Sequence, residues 1–221
     1  MVESALTKRQ QIFKNLIDLA DRVDGDFDKL KVVHVDKNLN YEARQTWEGD
    51  GPVTVIRYDA EGFTKEDWLK WQADPIAVQC KLNDRLTATK LDDTPDLEGH
   101  ATYHLAMKMP MVLSNRSIFT SFYQKENEDG SLILINSSQG NEGLVEANKK
   151  MVGKDVVANA IITYTKGEFH ENGCKLTQII SMNVGGMIPN FIQKKIAKRL
   201  ADTTKHLVAY IKNGTIPEGV F

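Results

Sequence analysis

The chain has 221 residues, 41% of them hydrophobic and 26% charged, a composition that builds a sizeable globular core and excludes disordered or fibrous classes. A formal net charge of −2 gives no overall field that would draw the chain to a polyanion, so nucleic acid is not an expected partner. Cys80 and Cys174 stand in no metal-like or redox-like spacing, and no run of 18 apolar residues offers a membrane span.

Taken in chain order, Leu6, Ile12, Phe13, Leu16, Ile17, Ala20 and Val23 recur at helical spacing and predict a first helix ending before Gly25. Short β-branched or aromatic segments near 31–36, 41–47 and 53–58 follow, with Gly49-Asp50-Gly51-Pro52 as the clearest turn, and read as a meander. Thr64-Lys65-Glu66-Asp67 has the form of a capping box ahead of Trp68, Leu69 and Trp71, and Pro75 starts a second short helix through Cys80. Strands are expected again at 85–91, 99–108, 115–125, 131–138, 156–170 and 174–184. Asp129-Gly130 and Asn172-Gly173 mark hairpins, because both dipeptides accept the positive φ of tight turns, so consecutive strands should be antiparallel.

The last third carries the strongest signal. A strand-like segment breaks at Asn183-Val184-Gly185-Gly186-Met187-Ile188-Pro189 and feeds a long amphipathic helix to about Lys212. Its apolar stripe runs Ile188, Ile192, Ile196, Leu200, Thr203, Leu207, Ile211, and Asn213-Gly214 supplies a stop. Strands gathered in one antiparallel sheet, with helices at its ends, define an α+β fold, and no linker divides the chain, so residues 1–221 read as a single domain with its core at about 5–213.

Two segments resemble the StAR-related lipid-transfer (START) family, and identify the chain as a divergent member. Met111-Val112-Leu113-Ser114-Asn115-Arg116-Ser117-Ile118-Phe119 is similar to the family's apolar loop and Ser-Pro-Arg-Asp-Phe strand entry. Ser181 to Pro189 is similar to its Asp-x-Gly-Gly-x-hydrophobic-Pro passage into the last helix. Departures are Leu82-Asn83 for a Trp-Asp, Asn115-Arg116-Ser117 for Pro-Arg-Asp, and Asn183 for Asp. The resemblance implies a helix-grip fold, in which a curved antiparallel sheet wraps the C-terminal helix around a hydrophobic tunnel.

It also implies a carrier, without cofactor or bond chemistry, for one hydrophobic ligand such as a phospholipid or other acyl lipid. The tunnel wall is expected from Tyr103, Leu105, Met107, Ile118, Thr120, Phe122, Ile162, Tyr164, Ile192, Ile196 and Leu200, with a gate at Met109, Met111, Val112 and Leu113. Sterol-binding members pair an acid with an arginine across the tunnel; Tyr103 or His104 and Phe122 stand there instead, which argues against sterol. Six basic residues on the last helix face Asp202 alone, so Lys194, Lys198 and Arg199 are expected to touch an anionic membrane transiently. The working form expected is a cytoplasmic monomer, peripheral at membranes.

Other chemistry is weaker. His100 and His104 would lie about 13 Å apart along a strand, too far to share a metal ion. No nucleophile elbow, phosphate loop or dinucleotide fingerprint occurs. A polyketide cyclase or aromatase of the same fold would need polar residues converging from among Tyr103, His104, Arg116, Tyr164 and Gln178, and a chaperone-binding module would need a filled core.

Overall fold

The computed structural model describes residues 7–37, 40–48, 51–93, 101–109, 113–185, 203–204 and 206–214. Helix α1 (Lys8–Gly25) opens with a capping box: Gln10 N–H donates to Thr7 Oγ1, and Thr7 N–H to Gln10 Oε1. A single 3-10 turn, Phe27–Lys29, leads into the meander β1 (Lys31–Asp36), β2 (Tyr41–Glu48) and β3 (Gly51–Glu61). Helices α2 (Lys65–Ala73) and α3 (Pro75–Leu82) follow, the first capped by Thr64 and Asp67 as its sequence predicts, the second by Asp74 with Pro75 in its first turn. Then come β4 (Leu86–Asp93), β5 (Ala101–Met107), β6 (Arg116–Glu126) and β7 (Leu132–Ser137). Two short helices, α4 (Glu142–Ala147) and α5 (Lys149–Val152), occupy a stretch in which the sequence marks no element. Strands β8 (Val156–Val157), β9 (Asn159–His170) and β10 (Gly173–Asn183) complete the sheet. Residues 203–204 and 206–213 are helical.

All strands share one sheet in the order β1-β2-β3-β10-β9-β7-β6-β5-β4, with β8 added parallel to β6. The decisive pairing is long-range: β10 lies against β3 from Gly173↔Glu61 to Ser181↔Val53, joining the N-terminal meander to the C-terminal strands. Both hairpin signals are realised. Gly130 has φ +79° in the β6–β7 turn, and Gly173 has φ +155° at the start of β10, where an added Cβ would meet Ala60 O at 2.3 Å. Only glycine fits that crossing.

The two faces of the sheet have separate cores. On the outer face α1 buries Phe13, Leu16, Ala20 and Val23 against Val53, Val55, Ile133, Ile135, Ile162, Tyr164 and Ile179. Beside them Arg57 donates to Asp24 Oδ1 from Nε at 3.0 Å and Nη2 at 2.8 Å, and stacks its guanidinium 4.0 Å over the Phe27 ring. On the inner face Trp68, fully buried, meets Trp71 and Phe169 edge-on and rests against Gly167, where a Cβ would come within 2.7 Å of its ring. Leu207 and Val208 of the C-terminal helix join this inner core. Lys212 Nζ ties the helix end to Glu61 O at 2.6 Å, and Gly214, at φ +69°, donates to Tyr210 O and closes the helix.

His104 lies on the outer face of β5, buried against the Phe119 ring with Nε2 2.6 Å from Ser117 Oγ. Burial lowers its pKa from the ordinary 6.5, and the charge of Asp155 opposes this only in part. The folded chain therefore resists a proton that the unfolded chain accepts, so this stability is complete above about pH 6.5 and falls as pH drops through the folded value. Urea midpoints taken from about pH 7.5 down to about pH 5 should show a shallower acid loss in His104→Asn than in the parent chain. Parallel curves would mean that His104 does not titrate with unfolding.

Candidate functional site

The inner face of the sheet is not completely filled. A cavity of about 290 Å³ lies between it, α2–α3 and the C-terminal helix. Its apolar wall comes from Leu105 and Met107 on β5, Ile118 and Phe122 on β6, Leu134 on β7 and Ala160 on β9. Trp71, Leu82, Leu86, Ile180, Met182 and Leu207 extend it. Polar residues interrupt the wall at Gln79, Asn83, Thr120, Asn136, Thr163, Thr165, Gln178, Thr203 and Thr204. Among the described lining residues none is ionisable at neutral pH.

One polar chain crosses the cavity wall. Thr204 Oγ1 donates to Gln178 Oε1 at 2.6 Å, and Gln178 Nε2 donates to Thr165 Oγ1 at 3.2 Å, so the C-terminal helix is pinned to β10 and β9 through buried, satisfied groups. A hydrogen bond of this kind contributes modestly when made but costs more if one partner is left alone.

Of the residues expected on the wall, Leu105, Met107, Ile118, Thr120 and Phe122 lie there together. Tyr103 shares their face of β5, packs edge-on to Phe122 at 5.6 Å and is half-buried beside the cavity. Ile162 and Tyr164 do not reach it. Both point to the outer face, into the core under α1, where burial pushes the Tyr164 phenol far above its usual range. The reason is a β-bulge: Ser181↔Ile162 is followed by Met182↔Ala160, so Ile161 is an extra residue on β9. It shifts the alternation by one, which places Ala160, Thr163 and Thr165 inward and Ile162 and Tyr164 outward.

Ile192, Ile196, Leu200, Lys194, Lys198, Arg199, Met111 and Val112 lie outside the described residues. Met109 and Leu113, at the flanks of the expected gate, are half-buried, and Met109 N–H donates to Asn115 Oδ1 at 3.1 Å. His100 also lies outside the described residues, and no cluster of three potential metal ligands occurs among those described.

Sequence reading did not anticipate that the two family-like segments touch. Arg116, buried at the start of β6, donates from Nε to Val184 O at 2.6 Å and from Nη2 to Gly185 O at 3.2 Å, and also bonds Ser114 O. Asn183 Oδ1 accepts from Gly185 N–H at 3.0 Å, and Gly185 takes φ +63°, so the chain turns sharply as it leaves β10. A Cβ there would meet Val157 O of β8 at 2.4 Å.

An antiparallel sheet that grips a C-terminal helix over a lined cavity defines the helix-grip class of α+β fold. Solved structures of StAR-related lipid transfer proteins share it. Human STARD10 superposes with a TM-score of 0.68 at 14% identity, over 96% of this chain and 82% of that one. The human StAR-related lipid transfer protein 5 gives 0.66 at 13%, over 91% and 98%. A STAR-related lipid transfer protein from Xanthomonas axonopodis gives 0.59 at 14%, over 83% and 99%. At these identities the likeness is one of fold. No sequence-family model and no curated protein sequence matches the chain.

Two substitutions test the turn that leaves β10. Gly185→Ala forces a Cβ against a backbone carbonyl in a left-handed conformation and should destabilise by about 1–3 kcal/mol. Arg116→Met strips a charge-assisted donor set from three carbonyls and should cost about 2–3 kcal/mol. Urea unfolding checks both; a loss under about 0.5 kcal/mol in each would show the turn to be a bystander.

Proposed function

We infer that the chain is a lipid carrier: it encloses one hydrophobic molecule between the inner face of the sheet and the C-terminal helix and moves it between membranes without making or breaking bonds. The observation that carries this reading is the cavity of about 290 Å³ with its largely apolar, uncharged described wall, in a fold shared with proteins named as lipid transfer proteins. An acyl chain exposed to water costs about 0.8 kcal/mol per CH₂, so carriage needs a dry compartment and a cover that opens. The helix and the gate residues Met109, Met111, Val112 and Leu113 serve as that cover. The whole chain works as one domain, in the cytoplasm, as a monomer that visits anionic membranes through Lys194, Lys198 and Arg199.

Catalysis of the cyclase kind is less well supported. Of the five polar residues that such an enzyme would gather, only Gln178 lines the cavity, whereas His104 and Tyr164 face the other side of the sheet and Arg116 is engaged with backbone carbonyls. A chaperone-binding module is disfavoured by the unfilled space itself.

Mass spectrometry of an organic extract of the purified protein should find a hydrophobic molecule in near-stoichiometric amount. Leu105→Trp, which fills the cavity from β5, should abolish vesicle-to-vesicle lipid transfer and retain a cooperative melt; transfer at the parent rate would sink the carrier reading. Charge reversal of Lys194, Lys198 and Arg199 should weaken sedimentation with anionic vesicles, most at low salt, where screening is least. Undiminished sedimentation at every ionic strength would remove the membrane role from the basic helix.

A further inference from the structure

Among the described residues, three polar atoms on the cavity lining have no hydrogen-bond partner: Trp71 Nε1, Thr120 Oγ1 and Asn136 Oδ1. All three side chains are more than nine-tenths buried, at 4%, 0% and 8% exposure. On the same wall Thr204, Gln178 and Thr165 are paired with one another. Native interiors rarely leave such groups alone, because each carries a desolvation cost with nothing to offset it.

The three line the same cavity. Asn136 stands opposite Phe122 on β6 and opposite Thr163 on β9. Thr120 is the preceding inward position on β6, a diagonal neighbour of Asn136 at about 7–8 Å. Trp71 packs from α2 into the same inner core as Phe122 and Leu134. The three thus line one cavity, two of them as neighbours on the sheet and the third from α2.

Their chemistry specifies what would complete them. Indole N–H can only donate, so it needs an acceptor; the Asn136 oxygen can only accept, so it needs a donor; the threonine hydroxyl does either. No described lining residue carries a charge, so a phosphate or carboxylate drawn into this patch would lose its water without gaining a counter-ion. The volume also lies at the lower end of ligand pockets, roughly 300–1,000 Å³, which suits one chain better than two.

Resting on the carrier reading above, we propose that the cargo is an uncharged single-chain lipid whose polar end carries both a carbonyl and a hydroxyl, and that this end docks among Trp71, Thr120 and Asn136. The carbonyl accepts from Trp71 Nε1, a hydroxyl donates to Asn136 Oδ1, and Thr120 bridges them. All three atoms are covered by their surroundings, so docking requires the Trp71, Thr120 and Asn136 side chains to turn toward the cavity.

The test uses full-length delipidated protein and three probes with the same oleoyl chain: monooleoylglycerol, oleate and oleoyl lysophosphatidylcholine. Monooleoylglycerol should bind at least tenfold more tightly than the other two. Asn136→Leu and Thr120→Val should each weaken it about tenfold, the worth of one hydrogen bond to a buried group. The same variants should leave oleate affinity unchanged and hold or raise the melting temperature of the empty protein, a combination that a merely structural role would not produce. Equal binding of all three probes, or variants that weaken them alike, overturns this inference and leaves the carrier reading standing. Failure to bind any of the three, together with an extract free of lipid, overturns the carrier reading itself.

Discussion

A single guanidinium governs the end of the sheet where the chain departs toward the last helix. Arg116 is buried without a carboxylate partner among the described residues and is satisfied by backbone carbonyls, those of Ser114 on its own segment and of Val184 and Gly185 on the segment after β10. Burying a charge in this way is tolerable only when its donors are well used, and three carbonyls fixed in space use them. The arrangement forces the starts of β6 and β8 and the end of β10 into one corner, with Val156 and Val157 paired to Arg116 and Ser117 and the Gly185 turn pressed against Val157. Everything that positions the exit from the sheet depends on that corner. It also explains in physical terms why both local motifs recur in one chain: each supplies what the other lacks.

The second constraint is the division of labour between faces. The outer face is covered by α1 and Phe27, and its cation–π and ion-pair contacts with Arg44 and Arg57 hold the meander to the helix. The inner face instead carries space. A wall can stay open only if its surroundings are stiff, because an apolar cavity otherwise tends to collapse. Stiffness comes from the aromatic cluster of Trp68, Trp71 and Phe169 and from the Gln72–Gln124 exchange, in which Gln72 Nε2 donates to Gln124 Oε1 at 2.6 Å and Gln124 Nε2 returns a bond to Gln72 O at 2.8 Å. These ties fasten α2 to β6 beside the space that they keep open.

Much of the fold is legible in the sequence because its signals are local. The hairpin dipeptides, the Thr64 capping box, the Pro75 helix start and the Asn213-Gly214 stop each act within a few residues and appear where their chemistry demands. The wall on β5 and β6 is likewise readable, since alternation there runs undisturbed from Arg116 to Phe122. What could not be read depends on register. The extra residue Ile161 arises from how β9 meets β10, and nothing in Asn159-Ala160-Ile161-Ile162 announces it, so Ile162 and Tyr164 were expected on the wrong face. Helices α4 and α5 are too short and too polar to show a period, and neither receives a side-chain cap at its start. Asn136 is a polar residue in an apolar strand, and only the pairing of β7 with β9, which do not follow one another in sequence, sets it beside Thr163.

That inward polarity bears on how a carrier could release what it holds. Unfilled apolar space within a cavity of about 290 Å³ weakens a fold, on the order of 24 cal/mol per Å³, within a total stability of roughly 5–15 kcal/mol. An occupant that fills it stabilises the closed form by mass action. If the wall were purely aliphatic, that gain would rise with every methylene buried, and a well-fitting chain would be hard to give up. Placing Thr120, Asn136 and Trp71 in the wall changes the balance. On the proposed docking, part of the favourable energy would reside in hydrogen bonds that water can also make, so opening to a hydrated surface would replace them with little loss. The same groups that, on that docking, select an occupant in the closed state would thus lower the barrier to parting with it once the site is wet.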